Sequence, residues 1–164
     1  MNDDEKFEYA VNLVLAMEGG YVNNPYDKGQ ETKYGISKRS NPNINIKNLT
    51  VRQAKQIYYV KYWKPNRYYL IKNTIIAAKI FDIAVHAGSQ VANKMLQRAL
   101  WATGCKNVHE TGILDEQTLK ATNRAKPAIL LSALKSEVAG YYRIISSKDD
   151  NRLFLRGWLK RAYS

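Results

Sequence analysis

The longest apolar stretch of the chain, Ile75–Val85, is the feature that most limits how the chain can fold. A helix can begin there at residue 73 or 74 and end before Gly88, and a helix this apolar is expected to be buried on most sides. Lys79 and Asp82 interrupt the stretch, which is also shorter than the ~18 residues that suggest a membrane span. The pattern therefore predicts a central helix in a globular protein.

Residues that start and stop helices mark two helical segments before this central one. Asn2 or Asp3 can cap a first helix, and Gly19-Gly20 can end it because glycine readily adopts the left-handed conformation. The Thr50–Gln53 capping box opens a second helix, and Pro65 ends it near residue 63. Between the two, residues 21–48 are rich in Asn, Pro, Gly and Asp, which indicates loops and turns with at most a short hairpin.

Similar signals follow the central helix. Ser89 and Asp115 are candidate caps, and Pro127 suits the first turn of a long helix. We therefore expect helices over about 89–100, 115–124, 127–145 and 151–163. A chain of 164 residues corresponds to one domain. The predicted fold class is mainly α: a single compact helical domain with little or no β structure.

The chain is strongly basic, with 26 Lys or Arg against 14 Asp or Glu, a net charge of +12. This charge favours a polyanionic partner such as nucleic acid, anionic lipid or an anionic bacterial envelope. The basic residues are spread along the chain and do not form the block typical of a nucleic-acid-binding arm. Twelve Tyr and three Trp could stack on sugar rings or on bases, which composition does not distinguish.

Cysteine, histidine and the first residues narrow the chemistry further. Cys105 is the only cysteine, which excludes an internal disulfide and fits folding in a reducing compartment. His86 and His109 lie far apart with no cysteine partners, so we expect neither a metal site nor a cofactor. The acidic run Asp3–Glu5 stands where a secretory signal would be basic, so none is expected.

Glu18 is the most informative single residue. Counting about 100° per residue from Phe7 places Glu18 in the middle of the apolar face that includes Val11 and Val14. A carboxyl group buried there is expected to hold its proton near neutral pH, which is the property of a general acid. A surface glutamate at a frayed helix end is the alternative.

The loop that follows Glu18 contains a second carboxylate and a hydroxyl group. Asp27 lies nine residues after Glu18, and Thr32 lies five residues further on. An inverting glycosidase needs a second carboxylate that activates a water molecule across the sugar ring. Asp27 could fill this role on a loop folded over the helix end, and Thr32 could hold the same water. An Asx-turn is the alternative interpretation of Asp27.

These residues resemble the motifs of the glycoside hydrolase family 108 muramidases, a family of phage-type endolysins and secretion-activator lysozymes. The resemblance begins with Glu18–Tyr21, Asp27-x-Gly29 and Thr32-x-Tyr34-Gly35-Ile36. It continues in Ile57-Tyr58 with Tyr62-Trp63, in Phe81-Asp82-x-Ala84-Val85-x-x-Gly88, and in Gly157-Trp158-Leu159-x-Arg161-Ala162. The motifs span nearly the whole chain and imply a lysozyme-like fold.

The resemblance also implies roles for individual residues. Glu18 corresponds to the catalytic acid, and Asp27 and Thr32 to the pair that activates water. The chain departs from the family pattern at Gln30, where a glycine is usual, and at His86, where an asparagine is usual.

Four further residues are candidate substrate contacts. Tyr21, Tyr34 and Trp63 could stack on the glycan, although each could equally be a core or interface aromatic. Asp82 is the fourth candidate, and it lies one helical turn from His86, with which it could hydrogen-bond.

The motifs divide the chain into two portions. Residues 1–88 resemble the catalytic part of the family. Residues 89–164 resemble the peptidoglycan-binding-like segment that often follows it, through Asn93–Leu100 and Gly112-x-Leu114-Asp115-x-x-Thr118. We expect the second portion to pack on the first as one compact unit, with sugar binding there less favoured than a packing role.

Together these observations predict an N-acetylmuramidase that hydrolyses the β-1,4 bond between N-acetylmuramic acid and N-acetylglucosamine in peptidoglycan. The expected protein is a monomer that binds glycan strands, not nucleic acid, and does not insert stably into membranes. Without a signal peptide it would be made in the bacterial cytoplasm and need a holin or similar helper to reach periplasmic peptidoglycan. The alternatives are a non-catalytic wall-binding or secretion-accessory protein and, from charge and tyrosine content alone, a nucleic-acid binder.

Overall fold

Helices form most of the structure. The computed structural model describes residues 2–23, 31–147 and 149–164, with the backbone alone for Asp149 and Asp150. The α-helices are α1 (Asp3–Met17), α2 (Val51–Tyr58), α3 (Thr74–Ala87), α4 (Ser89–Ala102), α5 (Glu116–Arg124), α6 (Pro127–Ser146) and α7 (Leu155–Tyr163). The strands are β1 (Val22–Asn23), β2 (Glu31–Lys33) and β3 (Ile36–Ser37). The predicted fold class is confirmed.

Four helices begin at the side-chain caps that the sequence indicates. The side chains of Asn2, Thr50, Asn73 and Asp115 each accept a hydrogen bond from a backbone N–H in the first turn of the helix that follows. At Asn2 and Thr50 the reciprocal bond of a capping box is also present. These caps satisfy N–H groups that have no partner within the helix, so the starting points could be found locally.

Three predicted helix boundaries, two starts and one end, differ from the structure. Gly88, not Ser89, is the N-cap residue of α4, and it has the positive φ of 91° that ends α3. Gly19-Gly20 follows α1 without positive φ, because Glu18 already leaves the helix in an extended conformation. The last segment begins as a 3₁₀ helix over Asp149–Phe154, and only α7 is α-helical.

The second helix runs to the predicted end, but its final turn is wider than an α-turn. A π-helical turn over Tyr59–Trp63 continues α2. A 3₁₀ turn over Tyr68–Leu70 then leads towards α3, after Arg67 adopts a left-handed conformation with φ 57°. This connection turns the chain back so that α3 can enter the core.

The three short strands form one antiparallel sheet in the order β1-β2-β3. Val22 pairs with Thr32, and Lys33 pairs with Ile36 across a two-residue turn. Both turn residues, Tyr34 and Gly35, have positive φ, as a type I′ hairpin turn requires. The short hairpin expected between residues 21 and 48 is therefore present.

Helix α3 is the centre of the core, as predicted. Every residue from Ile76 to Ala84 is buried, including Lys79 and Asp82. The helix packs against α1, α4 and α6. Phe81 of α3 meets an aromatic cluster whose ring centroids lie 5.4–6.3 Å from its own. The members of this cluster are Phe7, Tyr58 and Trp63.

Two buried amides organise the C-terminal portion. The Gln97 side-chain amide donates to Ile113 O at 3.0 Å and accepts from Gly112 N at 2.9 Å. The Asn93 amide donates to Gly112 O and accepts from the Tyr68 hydroxyl, each at 3.0 Å. The polar residues that resemble a peptidoglycan-binding motif therefore hold the turn before α5 in place. This supports the packing role that the sequence favours for them.

None of the helices in the described ranges is long and apolar enough to cross a membrane.

Replacing a core phenylalanine tests the central position of α3. Phe81 is fully buried, so we expect Phe81→Ala to lower the free energy of unfolding by about 3–5 kcal/mol. Phe154→Ala is the matched control, because Phe154 is 56% exposed and should cost less than about 1 kcal/mol. Urea denaturation followed by circular dichroism measures both values, and equal losses would contradict the proposed core.

Candidate active site

Glu18 is the first residue outside α1. Its backbone is extended, with φ −91° and ψ 141°, and its amide donates to Leu15 O at 3.3 Å. Its side chain is 21% exposed. The prediction that Glu18 continues the apolar face of the helix is wrong, because helical geometry ends at Met17. Its carboxyl group lies among polar partners and not in an apolar pocket.

The hairpin turn packs directly against the Glu18 carboxyl group. A Cβ atom at Gly35 would lie 2.8 Å from both Cδ and Oε2 of Glu18 and 2.6 Å from the Tyr58 hydroxyl oxygen. Such distances are too short for a side chain, so only glycine permits this approach. Gly35 thus brings the sheet, which includes Thr32, next to the end of α1.

Tyr58 of α2 supports the turn from below. Its hydroxyl group donates to Tyr34 O at 2.7 Å. The side chain is buried, and burial followed by the nearby Glu18 charge raises the pKa of Tyr58 above its ordinary range. Tyr58 therefore stays a neutral donor, and this hydrogen bond helps to hold a tyrosine in the uncommon left-handed conformation at position 34.

Arg161 of α7 joins Glu18 to Asp82. Arg161 Nη1 donates to Glu18 Oε1 at 3.1 Å. Its Nε and Nη2 donate to Asp82 Oδ1 at 3.0 and 2.7 Å. The three side chains come from the C-cap position of α1, from α3 and from α7, and they form a cluster that we call the Glu18–Arg161–Asp82 cluster.

This cluster is largely shielded from solvent. The side chains of Arg161 and Asp82 are 12% and 11% exposed. Burial alone would lower the pKa of Arg161, but the carboxylates of Asp82 and Glu18 outweigh it and raise that pKa. Arg161 therefore keeps its positive charge, which lies between the two acids.

Lys79 and His86 flank the cluster on α3. Lys79 Nζ donates to Arg161 O at 2.6 Å, and burial lowers the pKa of Lys79 to about 8 despite the nearby Asp82. The His86 ring packs against the rings of Tyr142 and Trp158, with centroids 5.3 and 6.1 Å away. Burial, followed by the charge of Arg161, lowers the pKa of His86. The expected Asp82–His86 hydrogen bond gives way to the Arg161 bonds of Asp82.

The other residues predicted to form the site lie in the sheet or next to it, or they lie outside the described residues. Thr32 lies in the middle strand, and Tyr34 lies in the turn beside it, half-buried. Tyr21 is exposed just before the first strand, where its hydroxyl group donates to Glu31 Oε1 at 2.8 Å. Asp27 lies outside the described residues, as does Gln30.

Trp63 does not fit its predicted role. It is fully buried, its Nε1 donates to Asp3 Oδ1 at 3.0 Å, and its ring packs against Phe7, Tyr68 and Phe81. The prediction that Trp63 stacks on a glycan is wrong, because neither face of the ring is available to a sugar.

Sequence reasoning gave no role to Arg161 or Tyr58, although both lie in the motifs quoted above. Arg161 follows Glu18 by 143 residues, a separation at which periodicity carries no information. One arginine among the many basic residues of this chain offers a weak signal. The sharper signal is Asp82 itself, because a carboxylate in the longest apolar stretch needs charged or hydrogen-bonding partners when it is buried.

No group of three or more His, Cys, Asp or Glu side chains suited to a metal ion occurs within the described part of the chain.

A glutamate at the end of the first helix, facing a small antiparallel sheet inside a helical domain, defines a lysozyme-like protein. Residues 11–88 match the family Glycosyl hydrolase 108, and residues 91–163 match the family described as Predicted Peptidoglycan domain. The chain thus carries a Glycosyl hydrolase 108 segment followed by a peptidoglycan domain.

A solved structure is similar to nearly the whole of this chain. The structure of Brucella abortus SagA is similar to that of this chain, with a TM-score of 0.78 and 24% sequence identity. The match covers 97% of this chain and 90% of the SagA chain. At this identity the likeness establishes the fold. No curated protein matches the chain. The two family matches relate the function of the protein to peptidoglycan.

Replacing Gly35 tests the packing of the hairpin against Glu18. Gly35→Ala introduces a Cβ atom at φ 74° and within 2.8 Å of the Glu18 carboxyl group, so it should destabilise the fold through strain and through collision. Gly104→Ala is the matched control, because Gly104 has φ 91° with nothing within 4 Å of its Cβ position.

We expect a loss of about 1–2 kcal/mol in Gly104→Ala from backbone strain and a clearly larger loss in Gly35→Ala. Urea denaturation gives both free energies of unfolding. Equal losses would show that the turn does not press on Glu18.

Proposed function

We propose that the protein is an N-acetylmuramidase that hydrolyses the β-1,4 bond between N-acetylmuramic acid and N-acetylglucosamine in peptidoglycan. The observation that carries the proposal is the placement of the Glu18 carboxyl group. It lies at the end of α1, held by Arg161 and packed against the hairpin that includes Thr32. The match to a glycosyl hydrolase family supports a hydrolytic role for this carboxyl group.

Glu18 is the proposed general acid. Arg161 donates to Oε1, so Oε2 is the oxygen that remains to hold a proton and donate it to a substrate. Transfer of this proton to the glycosidic oxygen releases the leaving sugar as the bond to the anomeric carbon breaks.

Asp27 and Thr32 are the proposed water-activating pair. The water oxygen bonds to the anomeric carbon while its proton passes to the Asp27 carboxylate. Direct attack by water inverts the configuration at this carbon. Thr32 lies in the middle strand of the sheet, next to the turn that contacts Glu18, which supports its assignment to the same site.

The proposed site of action is the peptidoglycan of the periplasm. A net charge of +12 favours accumulation on an anionic cell envelope, because the summed field attracts polyanions over the distance of a Debye length. Tyr21 is an exposed aromatic residue beside β1 and is the proposed stacking residue for a sugar ring.

The first test replaces the acid. Glu18→Gln keeps the size and shape of the side chain but cannot donate the proton, so we expect reducing-end release from purified peptidoglycan to fall at least about 100-fold. Glu8→Gln is the control on the same helix, since Glu8 makes only a surface ion pair with Lys55 and should keep full activity.

A wild-type protein that sediments with peptidoglycan but releases no reducing ends would exclude the muramidase and favour the wall-binding or secretion-accessory alternative. Equal activity of wild type and Glu18→Gln would remove Glu18 from the mechanism. Circular dichroism of each variant checks that the fold is intact.

The second test addresses the water. Thr32→Val removes the hydroxyl group at nearly constant volume and should lower reducing-end release by about 10- to 100-fold, whereas Thr32→Ser keeps the hydroxyl group and most of the activity. Asp27→Asn cannot accept the proton and should lose at least about 100-fold. Equal rates for Thr32→Val and Thr32→Ser would count against a water-holding hydroxyl group.

A further inference from the structure

We propose that Arg161 is a positioning residue for Glu18, supplied by the C-terminal peptidoglycan segment and locked in place by Asp82. This inference rests on the proposed muramidase function. It gives the second segment a part in the chemistry, in addition to any contact with the wall.

The contact between Arg161 and the two acids joins the two segments that match different families. Glu18 and Asp82 lie within residues 11–88, and Arg161 lies within residues 91–163. The guanidinium group donates hydrogen bonds to both acids: Nη1 donates to Glu18, and Nε and Nη2 donate to Asp82. The hydrolase segment therefore contains an acid whose described cationic partner comes from the other segment.

Both the backbone and the side chain of Arg161 are held in place. Its backbone carbonyl accepts from the buried Lys79 ammonium group, and its neighbour Ala162 is fully buried. Its side chain is fixed by the two hydrogen bonds that Nε and Nη2 donate to Asp82 Oδ1. With both the backbone and the guanidinium plane fixed, Nη1 has one position from which to bond Oε1 of Glu18. The carboxyl group is thereby held in one orientation before substrate binds.

A lysine cannot reproduce this arrangement. Its single ammonium group is a point charge on a flexible chain, whereas the planar guanidinium group can bond two carboxylates at once in fixed directions. A structural role of Arg161 in holding α7 would need only the Asp82 bond. The additional bond to Glu18 is the one that matters for catalysis, because a misplaced acid loses rate even when the substrate binds normally.

The charges of the cluster also affect how the proposed activity depends on pH. Among the described residues, the ionisable groups near Glu18 are Tyr58 of α2, Asp82 and His86 of α3, and Arg161 of α7, with Lys79 behind Arg161. A cation beside a carboxyl group favours the charged form, and an anion favours the protonated form. An acid catalyst is active while protonated, so these charges set the high-pH limb of the activity profile.

The experiment compares three variants of the full chain with wild type in reducing-end release from soluble glycan fragments. Arg161→Gln should lower kcat by about 10- to 100-fold with KM nearly unchanged, and should move the high-pH limb upward. Asp82→Asn keeps the Arg161 charge but removes an anion, so it should move that limb downward with a smaller loss of kcat. Arg161→Lys should lose kcat but keep the limb near its wild-type position.

Two controls make the comparison specific. Arg156→Gln removes an exposed charge from the same helix and should leave kcat and the pH profile unchanged. Repeating the series in a His86→Asn background removes the one nearby imidazole, and the limb must still move in opposite directions for Arg161→Gln and Asp82→Asn.

A readout that does not depend on activity separates this inference from the proposed function. In protein with ¹³C-labelled glutamate, the Glu18 carboxyl resonance, assigned with Glu18→Gln, should move in Arg161→Gln and stay in place in Arg156→Gln. An inactive wild type that shows this difference would remove the muramidase and keep the coupling.

The opposite result is equally clear. An active wild type, together with an unmoved Glu18 resonance and an unchanged pH profile in Arg161→Gln, would overturn the positioning role and leave the muramidase intact. If Arg161→Gln does not fold, the sign of the shift in Asp82→Asn decides. A limb that stays in place there would overturn the inference.

Discussion

The guanidinium group of Arg161 connects three helices that lie far apart in the chain, and the site is built around it. A charge that is 12% exposed is tolerated only if acids neutralise it, and the two acids are Asp82 from the central helix and Glu18 from the end of the first. Each of these acids would be costly without the arginine. The cluster therefore links the position of α7 to the core and to the carboxyl group that faces the hairpin.

The hairpin can pack against this cluster because Gly35 has no side chain. Gly35 lies so close to Glu18 that any Cβ atom would overlap its carboxyl group, and the hydroxyl group of Tyr58 secures the turn from the other side. The sheet is small, yet it has a specific place in the fold. It brings a strand with Thr32 next to the acid while the helices provide the stability, which is a common division between scaffold and functional loop.

The C-terminal portion has two parts with different functions in this arrangement. Buried amides in α4, Asn93 and Gln97, tie down the turn before α5 through bonds to Gly112 and Ile113. Helix α7 then returns to the N-terminal portion and delivers Arg161. The motif that suggests peptidoglycan binding is thus largely used for internal hydrogen bonds, whereas Arg161, which lies outside this motif, bonds Asp82 and Glu18.

The sequence by itself determined what depends on neighbouring residues. Thr50 and Asp115 were identifiable as caps, and Asn2 and Asn73 were each one of two candidate starting residues, because a cap bonds within its own first turn. The apolar run of α3 indicated a core helix. The tertiary structure decided where the side chains of the other segments lie and what they contact. Trp63 is buried, Glu18 leaves the helix, and Arg161 meets two acids 79 and 143 residues away. Local patterns cannot reveal these features, because the energies involved arise from packing and charge pairing between distant segments.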